Sequence, residues 1–217
     1  GVTGINYDAD NRLITANGEQ YGYTPANQRV WLRKSGGAVE HFTLYGVDGA
    51  RLAVYQKATY SQPLTGSYFT VVKQEVYFAG KRIRSANLAV AEDRLGSTRT
   101  DGTTASRFYP YGEEFVPTTA NDRQKFGTYY RDAGTQLDYA NQRYYSSSIG
   151  RFLTADPYQA SGGPADPGSW NRYGYVQGDP VNNHDPEGLF LSAAGVESTK
   201  KKLAPTATDG WCYYGGV

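Results

Sequence analysis

Three Asp-Pro steps, at Asp156-Pro157, Asp166-Pro167 and Asp185-Pro186, frame the stretch that carries most of this chain's chemical potential. Two carboxylates brought to one peptide bond could hydrolyse it. One accepts the proton of a held water while the other donates to the carbonyl oxygen. Two like charges a few Å apart do not both ionise readily, so one carboxyl keeps its proton and the roles divide. A lone Asp lacks this capacity. Asp156 and Asp185 form the outer pair, with Asp166 and Asp179 between them. Each Asp-Pro is also an ordinary turn opener, the Asp capping the turn and the Pro fixing φ. On spacing alone both readings stand.

Other chemistry is sparsely represented. Cys212 is the only cysteine, which excludes an internal disulfide and a cysteine-based metal cluster. His41 and His184 sit in no ligand-spaced pattern, and a turn position accounts for His184. There is no nucleophile elbow or phosphate loop, so no metal and no cofactor are expected. The 22 Lys+Arg nearly balance 21 Asp+Glu, leaving no electrostatic footprint for nucleic acid or an acidic membrane. The run Lys200-Lys201-Lys202 reads as a solvated face. No apolar run approaches the roughly 18 residues of a membrane span.

The elements that must position these aspartates are strands. With 20 Tyr, 26 Gly and no Met, the composition favours a tyrosine-laddered, all-β fold with many short turns. Residues 5–13 (INYDADNRL), 21–30 (YGYTPANQRV) and 43–52 (TLYGVDGARL) repeat an aromatic, a turn and an arginine, namely Arg12, Arg29 and Arg51. Each unit reads as strand, turn and strand, with the arginine able to lie across a neighbouring ring. Single hairpins are marginal in water, so the units must stack. The array would have to continue before residue 1, and the chain opens GVTG without Met; both predict a piece of a longer protein. Residues 68–84 predict two strands with a turn at Ala79-Gly80, and residues 85–99 allow a brief helical turn around Leu88 to Leu95, ended by Gly96. Asp101-Gly102 predicts a hairpin turn. Adjacent tyrosines at 129–130 and 144–145 predict one ring buried and its neighbour nearer water. The insert at 158–169 reads as surface loop.

The ordered motifs carry a resemblance. The hairpin units, with Tyr7-Asp8 in the first, resemble the YD repeats of Rhs proteins. EDRLGSTR (92–99), RFYPYGEE (107–114), the YYRDAGTQLDYANQRYYSSSIGRFL run and WNRYGYVQGDPVNNHDPEGL then resemble, in order, the Rhs repeat-associated core. The resemblance implies YD-repeat-like β-hairpins over 1–84, an Rhs core over 85–189 and a C-terminal tail over 190–217. It implies a curved β shell, closed by the core around a C-terminal toxin cargo. It further implies an aspartyl autoprotease that cuts once, between Leu189 and Phe190, with Asp156 and Asp185 at the catalytic positions. The family commonly has a shorter connection between its two aspartates, so Asp166 is an alternative dyad member. Arg151 is a candidate to hold a carboxylate, or equally to stack on a tyrosine. The implied partners are the cargo and the remaining upstream shell, and the implied setting is a secreted or cell-surface bacterial protein exported by a toxin-delivery system. A non-catalytic structural or adhesive module is the rival reading. Exposed strand edges would then favour end-to-end self-association.

Overall fold

Asp8, Thr24 and Gly46 open the same turn three times. The backbone N–H of each donates to the carbonyl four residues on, at Arg12, Gln28 and Ala50 (3.0, 2.9 and 2.8 Å). Asn11, Asn27 and Gly49 close each turn with positive φ (64°, 62° and 82°), a conformation that Gly and Asn adopt at least cost. This is the three-residue hairpin loop with a bulge, and a register shift accompanies it in each strand pair.

The computed structural model describes residues 1–59, 66–116, 120–157, 167–189 and 191–193. Strands β1 (Asn6–Tyr7), β2 (Leu13–Ala16), β3 (Glu19–Tyr23), β4 (Arg29–Arg33), β5 (Glu40–Tyr45), β6 (Arg51–Thr59), β7 (Ser67–Phe78), β8 (Lys81–Ser85) and β9 (Leu88–Ala89) form one nine-stranded sheet in sequence order. The β7–β8 turn falls at Ala79-Gly80, where φ is 47° and 74°. The helical turn expected around Leu88 to Leu95 does not form. Asp93 Oδ1 instead accepts the N–H groups of Leu95 and Ser97 (2.9 and 3.0 Å). That Asp-closed turn joins β10 (Ala91–Glu92) to β11 (Thr98–Thr100), a side-chain competition that favours turns over helix. At Asp101-Gly102 the chain turns as expected, with a bridge between Thr100 and Ala105.

A second antiparallel sheet contains β12 (Arg123–Gln124), β13 (Tyr130–Arg131), β14 (Asp138–Tyr139), β15 (Tyr144–Ser146) and β16 (Arg151–Phe152). Finally β17 (Asn183–His184) pairs with β18 (Ser192–Ala193). The fold is all-β with open antiparallel sheets; among the described residues only the 3-10 turns Pro167–Trp170 and Val176–Gly178 are helical.

The tyrosine pairs depart from expectation. Tyr129, Tyr130, Tyr144 and Tyr145 are all buried. Tyr130, Tyr139 and Tyr144 pack on Leu13, Ala16, Tyr21 and Leu32 of the first sheet. On the opposite face Tyr129 and Tyr145 pack with Phe126, Phe152, Tyr175 and Val176. The short second sheet is therefore a middle layer, covered on its far side by Tyr175 and Val176 from beyond β16 and by Phe108 and Phe126 from before β13.

All three repeat arginines lie against rings. Arg12 is 5.6 Å from the Tyr23 centroid, Arg29 is 4.6 Å from Tyr139, and Arg51 is 3.9 Å from Tyr130. Arg29 also joins the layers, through Nη2 to Asp132 Oδ1 (2.8 Å) and Nη1 to the Tyr144 hydroxyl (2.7 Å).

Candidate active site

The turn between β14 and β15, closed by the Ala140 N–H on the Arg143 carbonyl (2.9 Å), delivers a buried guanidinium. Arg143 stacks on the Phe152 ring, 3.6 Å from its centroid. Its Nη2 lies 3.5 Å from Asp156 Oδ2 and 3.4 Å from Asp185 Oδ2. Its Nε donates to the Gly188 carbonyl, and its Nη1 to the Arg172 carbonyl (3.1 Å). Burial pulls its pKa below the ordinary guanidinium value, against the opposing pull of Asp156 and Asp185. A guanidinium stays charged in proteins, so it partly offsets the cost of burying two carboxylates.

Each aspartate is anchored through its backbone. Asp156 follows β16; its N–H donates to the Arg172 carbonyl (2.9 Å), and Arg172 Nη2 donates back to its carbonyl. Asp185 follows β17; its carbonyl accepts from the Tyr129 hydroxyl, and its Oδ1 accepts the Leu189 N–H (3.0 Å). Burial, then the Asp185 charge, raises the Tyr129 pKa well above its usual value, so that hydroxyl remains a donor. The next residue, Pro186, has its carbonyl bonded by Thr128 Oγ1 (3.3 Å). A cavity of about 240 Å³ opens beside these groups, lined by Arg143, Asp156, Asn171, Arg172, Asp185 and Leu189 among others. It is polar and roomy enough for water.

Asp156 and Asp185 thus meet at one guanidinium, and half-buried Leu189 stands on the cavity wall. Arg151 is exposed and donates to Asn171 Oδ1 (3.2 Å); the arginine at the carboxylates is Arg143. Asp179 closes a local turn, accepting from Asn182 (3.1 Å). Asp166, Phe190, Lys200-Lys201-Lys202 and Cys212 lie outside the described residues. Among the described residues, no cluster of three His, Cys, Asp or Glu could hold a metal.

Sequence reasoning missed Arg143 and Tyr129, although a signal existed. The tetrapeptide ANQR occurs at 26–29 and again at 140–143. Asn27 and Asn141 share positive φ (62° and 61°). Asn27 Nδ2 donates to Gln142 Oε1 (2.7 Å), so the two copies touch. Each copy ends in a buried arginine that stacks on a ring and meets carboxylate.

Fold and site together define an antiparallel β-shell segment with a buried aspartate pair near the end of its described residues. No family model matches the chain. It is 25% identical over 200 residues to the tRNA3(Ser)-specific nuclease WapA of Bacillus spizizenii, and 26% identical over 201 residues to the tRNA nuclease WapA of Bacillus subtilis strain 168. Each match covers 85% of this chain but only 8% of the relative, so the chain spans less than a tenth of those proteins. Among solved structures, TcdB2-TccC3 without its hypervariable C-terminal region matches with TM-score 0.52 and 19% identity, covering 85% of this chain and 10% of that one. A Photorhabdus luminescens Tc holotoxin pore with mutant TccC3 matches with TM-score 0.52 and 19% identity, covering 89% and 10%. At such identity the structural likeness shows the fold. Both sets of relatives are Rhs-containing proteins, and the chain is similar to a short part of them.

Proposed function

We propose that this chain is the closing segment of an Rhs-type β shell and that Asp156 and Asp185 form an aspartyl dyad that cuts once, after Leu189. The observation that carries the reading is the convergence of two buried carboxylates on one guanidinium beside a cavity with room for water, with Leu189 N–H bonded to one of them. In the step, a water in the cavity gives a proton to one carboxylate and its oxygen adds to the Leu189 carbonyl carbon. The other aspartic acid protonates the carbonyl oxygen. Collapse breaks the C–N bond, and the proton passes to the Phe190 nitrogen. The products are a Leu189 carboxylate and a Phe190 amine, with one water consumed. Arg143 limits the repulsion within the pair and steadies the Gly188 carbonyl one peptide upstream.

In this reading the segment after Phe190 leads into a toxin cargo enclosed by the shell, and the whole protein is exported from a bacterium by a toxin-delivery system. That setting rests on the likeness to Tc toxin and WapA chains. A second reading draws on the same guanidinium. An arginine within 3.5 Å of both carboxylates favours a purely structural ion-pair triad in a module that never cuts.

Intact mass under denaturing conditions separates the two. Two fragments dividing at Leu189–Phe190, lost in folded Asp156→Asn and Asp185→Asn chains, are the expected result. A single uncut mass over days, or normal cutting by both variants, rules out the dyad.

A further inference from the structure

The polypeptide around Leu189 is gripped by its backbone, and the grip extends to both sides of the proposed cut. Asn183 and His184 of β17 pair with Ala193 and Ser192 of β18, so the pairing straddles Leu189. Within the loop, the Gln142 N–H donates to the Glu187 carbonyl (3.1 Å), Arg143 Nε to the Gly188 carbonyl, and Leu189 N–H to Asp185 Oδ1 (3.0 Å). Gly188 has φ of 74°, and a Cβ there would lie 2.8 Å from the Ala140 carbonyl oxygen and 3.2 Å from the Ala140 Cβ. That approach is to backbone, which does not yield as a flexible side chain does. Three successive residues are thus held through backbone groups, and the Leu189 side chain is half-buried on a cavity wall.

From this placement we infer that backbone register, set by Gly188 and the β17–β18 pairing, selects the bond presented to the aspartates, with the side chain at Leu189 secondary. The inference rests on the proposed dyad. Strand pairing is a sensitive ruler, because a one-residue slip reverses every side chain and displaces every carbonyl. Gly188 and β18 are positioning elements; they do not take part in proton transfer.

The test is a time course of intact mass during cell-free synthesis of the full chain. Near-ultraviolet circular dichroism reports whether each variant folds. Gly188→Ala is expected to slow cutting at least tenfold. One glycine inserted between Leu191 and Ser192 is expected either to slow it similarly or to move the cut by a residue. The double variant Ser192→Pro with Ala193→Pro, which removes the ladder donor while leaving the aspartates and Gly188 in place, is expected to give slow or scattered cutting. Leu189→Ala is expected to slow cutting only several-fold, with the cut at the same bond. Register control is overturned if the Gly188, insertion and proline variants cut at the wild-type bond and rate while Leu189→Ala abolishes cutting. An uncut wild-type chain overturns the dyad reading and this inference together. A cut wild-type chain with indifferent register variants overturns this inference alone.

Discussion

The nine-stranded sheet and the five-stranded sheet solve the same packing problem from opposite ends. The first has long strands, such as β7 with 12 residues, and leaves much of one face open, including Phe69, Val71, Val76 and Phe78. The second has strands of two or three residues, with tyrosines buried on both faces. Strands so short gain little from ladder hydrogen bonds. Their stability comes from ring packing, worth about 0.5–1.5 kcal/mol per aromatic pair beyond burial, while their desolvated ion pairs make the loss of either partner costly. The contrast explains why the candidate site sits beside the second sheet: there, among the described residues, turns from distant parts of the chain bring Arg143, Asp156 and Asp185 into one buried, polar layer.

The sharpest way to break this contrast is to compare ion pairs. Asp132→Asn strands the buried Arg29 charge and is expected to cost about 3–5 kcal/mol in urea unfolding. Glu40→Gln, which removes the outer-face pair with Arg33, should leave the urea midpoint unchanged. If the two variants behave alike, the second sheet is not held by desolvated charge.

Ring burial comes next. Tyr145 is fully buried, and Tyr145→Ala should cost about 3–5 kcal/mol. Phe78, 72% exposed on the outer face, should tolerate Phe78→Ser within about 0.5 kcal/mol.

A smaller effect appears as pH dependence. Lys73 on β7 donates to the Asp122 carbonyl (2.8 Å) between the sheets, and burial lowers its pKa from 10.5 to about 8. Between these values the unfolded chain holds a proton that the folded chain lacks, so stability should rise with pH. From pH 8 to pH 9.5 the expected gain is about 1–2 kcal/mol, and Lys73→Met should flatten it. Above about pH 10 ionising tyrosines act the other way: those with raised values, such as Tyr139 and Tyr144, keep protons that the unfolded chain sheds. The measurement should stop short of that range.

Smallest is the loss of one hydroxyl. Tyr129→Phe removes the donor on the Asp185 carbonyl and should cost about 1 kcal/mol. In a chain that cuts itself, the same variant should also slow the cut, because it loosens the backbone under Asp185.

Much of the fold is legible in the sequence because its turns are decided locally. Asn11, Asn27 and Gly49 adopt positive φ for reasons internal to three or four residues, and Ala79-Gly80 places a hairpin turn where alternation breaks. The repeat arginines, too, announce ring stacking by their spacing from tyrosines. The candidate aspartates are readable as residue types in Asp-Pro steps. Only the tertiary structure decided that Asp156 and Asp185 share one guanidinium, that it belongs to Arg143 rather than Arg151, and that both tyrosines of each pair are buried. It also decided that Gly188 must pass against the Ala140 carbonyl. The physical reason is range: a turn is closed by neighbours in sequence, whereas burial, charge pairing and a close backbone approach are made by segments that meet only when the layers stack.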